Sequence, residues 1–374
     1  MVDRPHAHVD AAARQHYALI ASEPFRYASY HALHELHRRA GRVDAAWCVA
    51  AVLVFLEQAT PEEEAYYQQH CWPDLRPNFP PNFPLATQRV SDVTLQHVFH
   101  PDQDLYVTGI MGLIAPAVAM WRAVELPGSL GARDRIDVSV DPSLLSRITK
   151  YVKDVLNVSQ PDVYLRPDDP GDLTLMNIKR SDRLRPTMVV LQNLLRAETE
   201  RHLLFALGHA MMDLYPPHFC FVALDRSPQA LKQVLLACLH GVGLRVQGDV
   251  AALDQISREI FGRMQPAARD QLRSLLQKLV EAGRSVDVQR WAAASELTAC
   301  RVGLLLCADL RAASQMLSQE QTLLGVGATM SPRDKVRELV LYGISEDYFA
   351  ARRSLGLDAR PSGAQFARTG RESS

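Results

Sequence analysis

Phe205-Ala206-Leu207-Gly208-His209-Ala210-Met211-Met212-Asp213 is the stretch that decides how this chain is read. It belongs to an apolar run from about Thr199 to Leu214, which predicts a helix ended by Pro216-Pro217. His209 and Asp213 lie one turn apart and share a helix face. Upstream, Asp162 to Arg166, Leu173 to Ile178 and Thr187 to Leu191 are short, apolar or β-branched, and bounded by Pro and Asp, so they predict strands. Downstream, Ser295-Glu296-Leu297-Thr298-Ala299-Cys300-Arg301-Val302-Gly303 predicts a later helix carrying a carboxylate. Two groups one turn apart plus a carboxylate from a distant helix is the donor arrangement of a three-ligand metal site with an open fourth position.

In this order and in these motifs, the stretch from about 143 to 320 resembles the soluble domain of HExxH zinc endopeptidases of the CAAX-prenyl-protease and heat-shock membrane-protease type. Asp162-Val163-Tyr164-Leu165 is similar to their Tyr-containing strand, and Met176-Asn177-Ile178 keeps the asparagine of the next. Phe205 to His209 matches the lead-in to the metal helix, while Glu296 to Gly303 matches a Glu-Leu-x-Ala-Asp-Arg-x-Gly pattern. Asp309-Leu310-Arg311-Ala312-Ala313 follows at the expected place. The resemblance implies an α+β, mostly α, zincin-like domain, with Asn177 beside a peptide cleft.

The departures from that pattern carry the functional reading. Ala210 stands where the resemblance puts the general base, and Asp213 where it puts the second zinc histidine. Cys300 replaces an aspartate implied to support a ligand. Loss of a general base costs on the order of 10²–10⁴ in rate. His209, Asp213 and Glu296 are therefore expected to form a vestigial site that binds zinc weakly or not at all. A structural role is the competing expectation, with His209 and Glu296 persisting as a buried hydrogen-bonded pair.

Residues 9 to 69 predict helices, with Tyr27 to Arg39 and Val43 to Glu57 joined at Gly41. This hairpin resembles a single tetratricopeptide unit through Leu33, Gly41 and Ala46. One such unit cannot bury its own face, so it is expected to pack on the rest of the chain or on a partner. His31, His34 and His37 fall in its first helix, but the residue four after His34 is Arg38, so the metal spacing fails. Their expected place is a solvated or partner-facing surface. The prolines between 70 and 90 predict an extended connector. Residues 91–356 form the predicted peptidase-like domain, with a helix over Leu144 to Val158 and further helices over 228–239, 250–263, 266–282, 286–316 and 331–354. The tail, 357–374, is expected to be disordered.

A net charge of -1 gives no electrostatic case for nucleic acid or an anionic membrane. The longest apolar stretch, Tyr106 to Trp121, is about 16 residues against the roughly 20 needed for a span, and predicts a buried helix. The polar, histidine- and arginine-rich residues 1–15 do not resemble a secretory signal. Six cysteines without a CxxC pair suit reduced thiols in a cytoplasmic protein. The glycine pairs Gly241/Gly243 and Gly325/Gly327 lack a phosphate-loop context, and Ser146, Ser181 and Ser295 lack a nucleophile elbow. The leading expectation is a non-catalytic, peptidase-like protein that binds a protein or peptide partner. The alternative is a zinc metalloendopeptidase with an atypical His209/Asp213/Glu296 site and a base from His218 or His240.

Overall fold

The computed structural model describes residues 4–70, 86–197, 199–283, 286–320 and 330–359. Four helices come first: α1 (Arg4–Ser22), α2 (Tyr27–Arg39), α3 (Val43–Phe55) and α4 (Pro61–His70). Gly41, at φ 68°, supplies the left-handed turn between α2 and α3. α4 opens with a capping box: Thr60 N–H donates to Glu63 Oε2 (2.8 Å), and Glu63 N–H to Thr60 Oγ1 (3.3 Å). α5 (Asp92–Val98) and α6 (Leu105–Arg122) follow, then the short strands β1 (Val124–Glu125) and β2 (Arg135–Ile136), and α7 (Leu144–Leu156).

The three predicted strands are present, with one change. β3 (Asp162–Arg166) and β7 (Thr187–Leu191) pair in parallel, Asp162 opposite Thr187, and β4 (Leu173–Met176) runs antiparallel to β7. The sheet order is β2-β3-β7-β4, which leaves β4 as an edge. Leu173 to Ile178 is not one strand. It breaks at Asn177, and β5 (Ile178–Arg180) leaves to join β1 and β6 (Arg183–Leu184) in a second small sheet. The break coincides with long-range bonds: Asn177 Nδ2 donates to Ala119 O in α6 (2.8 Å), and Asn177 O accepts from Val124 N–H (3.1 Å).

The remainder is helical: α8 (Gln192–Leu195), α9 (Glu200–Met212), α10 (Pro216–Ala223), α11 (Pro228–Gly241), α12 (Val250–Arg263), α13 (Pro266–Glu281), α14 (Val288–Cys307), α15 (Leu310–Glu320), α16 (Pro332–Gly343) and α17 (Glu346–Leu355). Pro216-Pro217, predicted to end one helix, also starts the next, since proline has no N–H to waste in a first turn. The predicted helix over 286–316 is divided at Ala308, whose φ is 51°, and that over 331–354 is divided where Ser345 caps α17 through Tyr348 N–H.

Two large cores, and a small cluster of Leu130, Tyr164 and Val189 on the sheet, hold these elements. The larger joins Trp47, Val49 and Leu53 of α3 to Leu204 and Leu207 of α9, to Leu304 and Leu306 of α14, and to the α16–α17 pair. The helical hairpin therefore packs on the rest of the chain, and the expected division between 1–69 and 91–356 is not a break in packing. Its strongest tie is Arg352 of α17, which is 1% exposed. Arg352 donates from Nε and Nη2 to the Asp44 carboxylate (2.8–3.1 Å) and from Nη2 to Leu357 O (2.8 Å), and it lies over the Trp47 ring (4.8 Å). Leu357 and Ala359 are themselves buried, so this part of the expected disordered tail is ordered; 360–374 lies outside the described residues. Of the predicted connector, 71–85 lies outside them too, while 86–90 is non-helical and is held by bonds such as Thr87 N–H to Leu355 O (2.9 Å).

The second core gathers α6 with α10, α11, α12 and α13. α6 is long and apolar enough to cross a membrane by length and composition, and half of it is buried inside the protein.

The histidines of α2 differ from expectation. His34 and His37 are buried, and His31 is half-buried. His31 Nδ1 pairs with the Glu63 carboxylate of α4 (2.8 Å), and His37 Nε2 lies 2.9 Å from the Tyr17 hydroxyl of α1. α1 and α4 cover the face that the sequence reading left to solvent or a partner.

Candidate functional site

α9 and α14 run antiparallel and pack against each other closely. Arg201 Nη1 donates to Cys307 O at one end (3.1 Å), and His209 meets Glu296 at the other. Two glycines set this approach. A Cβ on Gly303 would lie 2.8 Å from Phe205 Cδ2 and 2.9 Å from Phe205 O, and one on Gly208 would lie 3.2 Å from Gly303 Cα. With no side chain at this crossing, the helices approach closely enough for His209, the residue after Gly208, to meet Glu296, two turns before Gly303.

His209 Nε2 donates to Glu296 Oε1 at 3.0 Å. The imidazole lies parallel to the Phe205 ring one turn back, centroid to centroid 6.1 Å. Cys300, one turn after Glu296 on α14, is fully buried, and one donor atom each from His209, Glu296 and Cys300 lie within 4.8 Å of one another. These three form one potential metal-ligating trio among the described residues. Asp213 is not part of it. It caps α9 and is 4% exposed, and its carboxylate accepts from Arg226 Nη2.

Two cations missed by sequence reasoning complete the site. Lys335 of α16, 3% exposed, donates from Nζ to Glu296 Oε1 at 2.8 Å, the same oxygen that His209 uses. Arg226 Nη1 is 4.0 Å from Glu296 Oε2, so its guanidinium lies between Glu296 and Asp213. Arg226 reaches this place through an irregular backbone: Asp225 and Arg226 both have positive φ, 56° and 51°. That conformation costs about 1–2 kcal/mol per residue for most side chains, and here it turns Arg226 back over the end of α9. Lys335 is aimed by a second pair between the same helices, because Arg301 of α14 pairs with Glu338 of α16 and lies over the Tyr342 ring (4.4 Å).

The electrostatics follow from burial and these partners. Burial alone would raise the Glu296 pKa, but the His209, Lys335 and Arg226 charges hold it well below the usual carboxylate range. Burial disfavours charge on His209, and the Glu296 carboxylate outweighs it, so the imidazole pKa is held well above its ordinary value. Burial pushes the Cys300 thiol up, against the opposing effect of His209. The neighbourhood thus holds three cationic groups (His209, Lys335 and Arg226) facing two carboxylates, Glu296 and Asp213.

The other predicted site residues are accounted for. Ala210 is buried and offers no base. Asn177 is 9% exposed and bound to α6, so its amide does not line an open cleft. His218, the first substitute base considered, is 1% exposed and accepts at Nε2 from Gln103 Nε2 (3.1 Å), whose Oε1 accepts from Thr298 Oγ1 of α14 (2.7 Å). Burial lowers its pKa to about 4, so it is neutral at pH 7. His240 pairs with Asp254 of α12 instead (2.7 Å). A cavity of about 540 Å³ opens one turn beyond the trio, walled by Leu95, Leu156, Met212, Val302 and Leu306, with Ser91 and Asn157 among its polar lining.

A divalent metal does not fit this arrangement as it stands. The glutamate oxygen it would need already holds an ammonium and an imidazole N–H, and the aspartate proposed as its second ligand is engaged by a guanidinium. Compared with protein-family profiles, with curated proteins and with solved structures, the chain matches none.

Proposed function

We propose that this chain is a non-catalytic, peptidase-like protein that acts by binding a protein or peptide partner, most simply in the cytoplasm. The observation that carries the reading is the Glu296 carboxylate, which shares one oxygen between Lys335 and His209 and faces Arg226 with the other. The charge that a zinc ion would neutralise there is already neutralised by side chains. The absence of a base at Ala210 agrees with it. Among the described residues no strand pairs with the outer side of β4, and this edge is the candidate contact surface, since a peptide strand adds to such an edge through main-chain hydrogen bonds. The polar-rimmed cavity beside Met212 could take an apolar side chain.

The rival reading, a zinc metalloendopeptidase using His209, Asp213 and Glu296, requires Asp213 to leave Arg226 and Glu296 to leave Lys335. Metal content of untagged, purified protein separates the two, with a His209→Ala control and a proteolysis assay on unfolded protein substrates. We expect no stoichiometric metal and no cleavage above the control. About one zinc per chain together with His209-dependent cleavage would overturn the proposal.

A further inference from the structure

Buried lysines are rarely left beside an imidazole unless an anion holds both, and Glu296 Oε1 does so here, 2.8 Å from Lys335 Nζ and 3.0 Å from His209 Nε2. Only 4% of the Lys335 side chain is exposed, against 42% of Arg226, so Lys335 is the inner cation of the site and Arg226 its outer cover. Around the same carboxylate, His209, Cys300 and Glu296 offer nitrogen, sulfur and oxygen donors within 4.8 Å of one another. Tetrahedral zinc places such donors about 3.5 Å apart, so closing the trio around an ion needs side-chain shifts on the order of an ångström. What stands in the way is charge.

We propose that Lys335 is the resident cation of this site, doing the neutralising work of a metal ion, and that it keeps closed a latent three-ligand site formed by His209, Cys300 and Glu296. The ligand class of that site is a borderline-soft divalent ion of the zinc or cobalt kind, as a mixed N/S/O donor set selects. Cys300 takes the ligand place for which Asp213 was the sequence candidate. Binding would release the Cys300 thiol proton and the His209 Nε2 proton, leaving a thiolate and a neutral imidazole on the ion. The inference rests on the non-catalytic reading, because it takes the wild-type site to be metal-free.

The test is a cobalt(II) titration of the full-length, untagged chain as wild type, Lys335→Met and Lys335→Met/Cys300→Ser. It is followed by the sulfur-to-cobalt charge-transfer band and the visible ligand-field bands. Circular dichroism and thermal melting establish that each variant is folded. The wild type is expected to show no thiolate–cobalt band, and Lys335→Met to gain one at one cobalt per chain. That corresponds to affinity roughly a hundredfold or more above wild type, as removal of a like charge from a buried site dictates. The double variant should lose the charge-transfer band. Should Lys335→Met not fold, Lys335→Gln keeps a hydrogen-bond donor for Glu296 and takes its place. A folded Lys335 variant without the band, in a protein whose wild type is metal-free, overturns this inference and leaves the non-catalytic reading standing. A wild type that binds cobalt as tightly as the variant overturns the exclusion by Lys335. If that wild type also cleaves protein, the non-catalytic reading falls with it.

Discussion

His37 and His218 are buried, and burial lowers both imidazoles to a pKa of about 4, in different parts of the molecule. An unfolded histidine titrates near its ordinary 6.5, so between pH 6.5 and 4 the unfolded chain binds protons that the folded chain refuses. Stability from these groups is complete above pH 6.5 and falls as pH drops towards 4, by up to about 3 kcal/mol for each histidine. Thermal melts across that window should show the loss, and His218→Gln should remove only its share of the histidine-linked slope, leaving the part due to His37 and to His34, which burial also lowers. A melting temperature independent of pH over this range would contradict the burial of both rings. At the same scale, Ala210→Glu together with Asp213→His should not create a peptidase. The introduced groups would still meet Lys335 on Glu296, and a fluorogenic-peptide assay of the double variant reads this directly. Neither Lys335 nor Arg226 could be read from the sequence. They converge from loops and helices separated from Glu296 by dozens of residues, with no periodicity to announce them. His209 and Glu296 were legible only because their local strings resemble a known pattern.

The crossing of α9 and α14 is the element on which the site depends. Gly303→Ala would place a methyl group 2.8 Å from the Phe205 ring and 2.9 Å from its carbonyl oxygen, and a backbone atom cannot step aside as a flexible side-chain tip can. The expected cost is about 1–3 kcal/mol from overpacking, read as a lower midpoint in urea unfolding. The same variant should loosen the His209–Glu296 contact. Amide hydrogen exchange around Met211 reports it, and unchanged protection there would contradict the role given to the glycine pair. Elements of this kind were partly legible. β3 and β7 fall where apolar or β-branched runs bounded by Pro and Asp put them, and α9 and α12 lie within a residue or two of expectation. The errors are breaks and starts that composition and periodicity do not mark plainly. Ala308 at φ 51° divides two helices without a glycine, and a strand ends at Asn177, which bonds to a helix that the local sequence does not contain. The proline pair at 216–217 was read only as a stop, although proline at a first helical position is equally a start.

Across the whole molecule, the tie between Arg352 and Asp44 is expected to make the N-terminal helices and the rest of the chain unfold together. Arg352→Ala leaves the Asp44 carboxylate without its buried counter-charge, and such breaks cost about 3–5 kcal/mol. Calorimetry of the wild type should give one cooperative transition. In Arg352→Ala that transition should fall in temperature or split, with the Trp47 environment reporting the hairpin; two well-separated wild-type transitions would contradict a shared core. The sequence reading divided the chain at its prolines, since composition marks linkers but carries no record of which surfaces meet across 308 positions. That separation also sets an order of events on the ribosome. α3 emerges early with an aspartate whose guanidinium has not yet been translated, and Ala359, whose N–H also binds Asp44 at 2.8 Å, comes later still. α1 to α4 can cover one another as they are made, but the face of α3 that meets α16 and α17 stays open until nearly the last described residues have been synthesised.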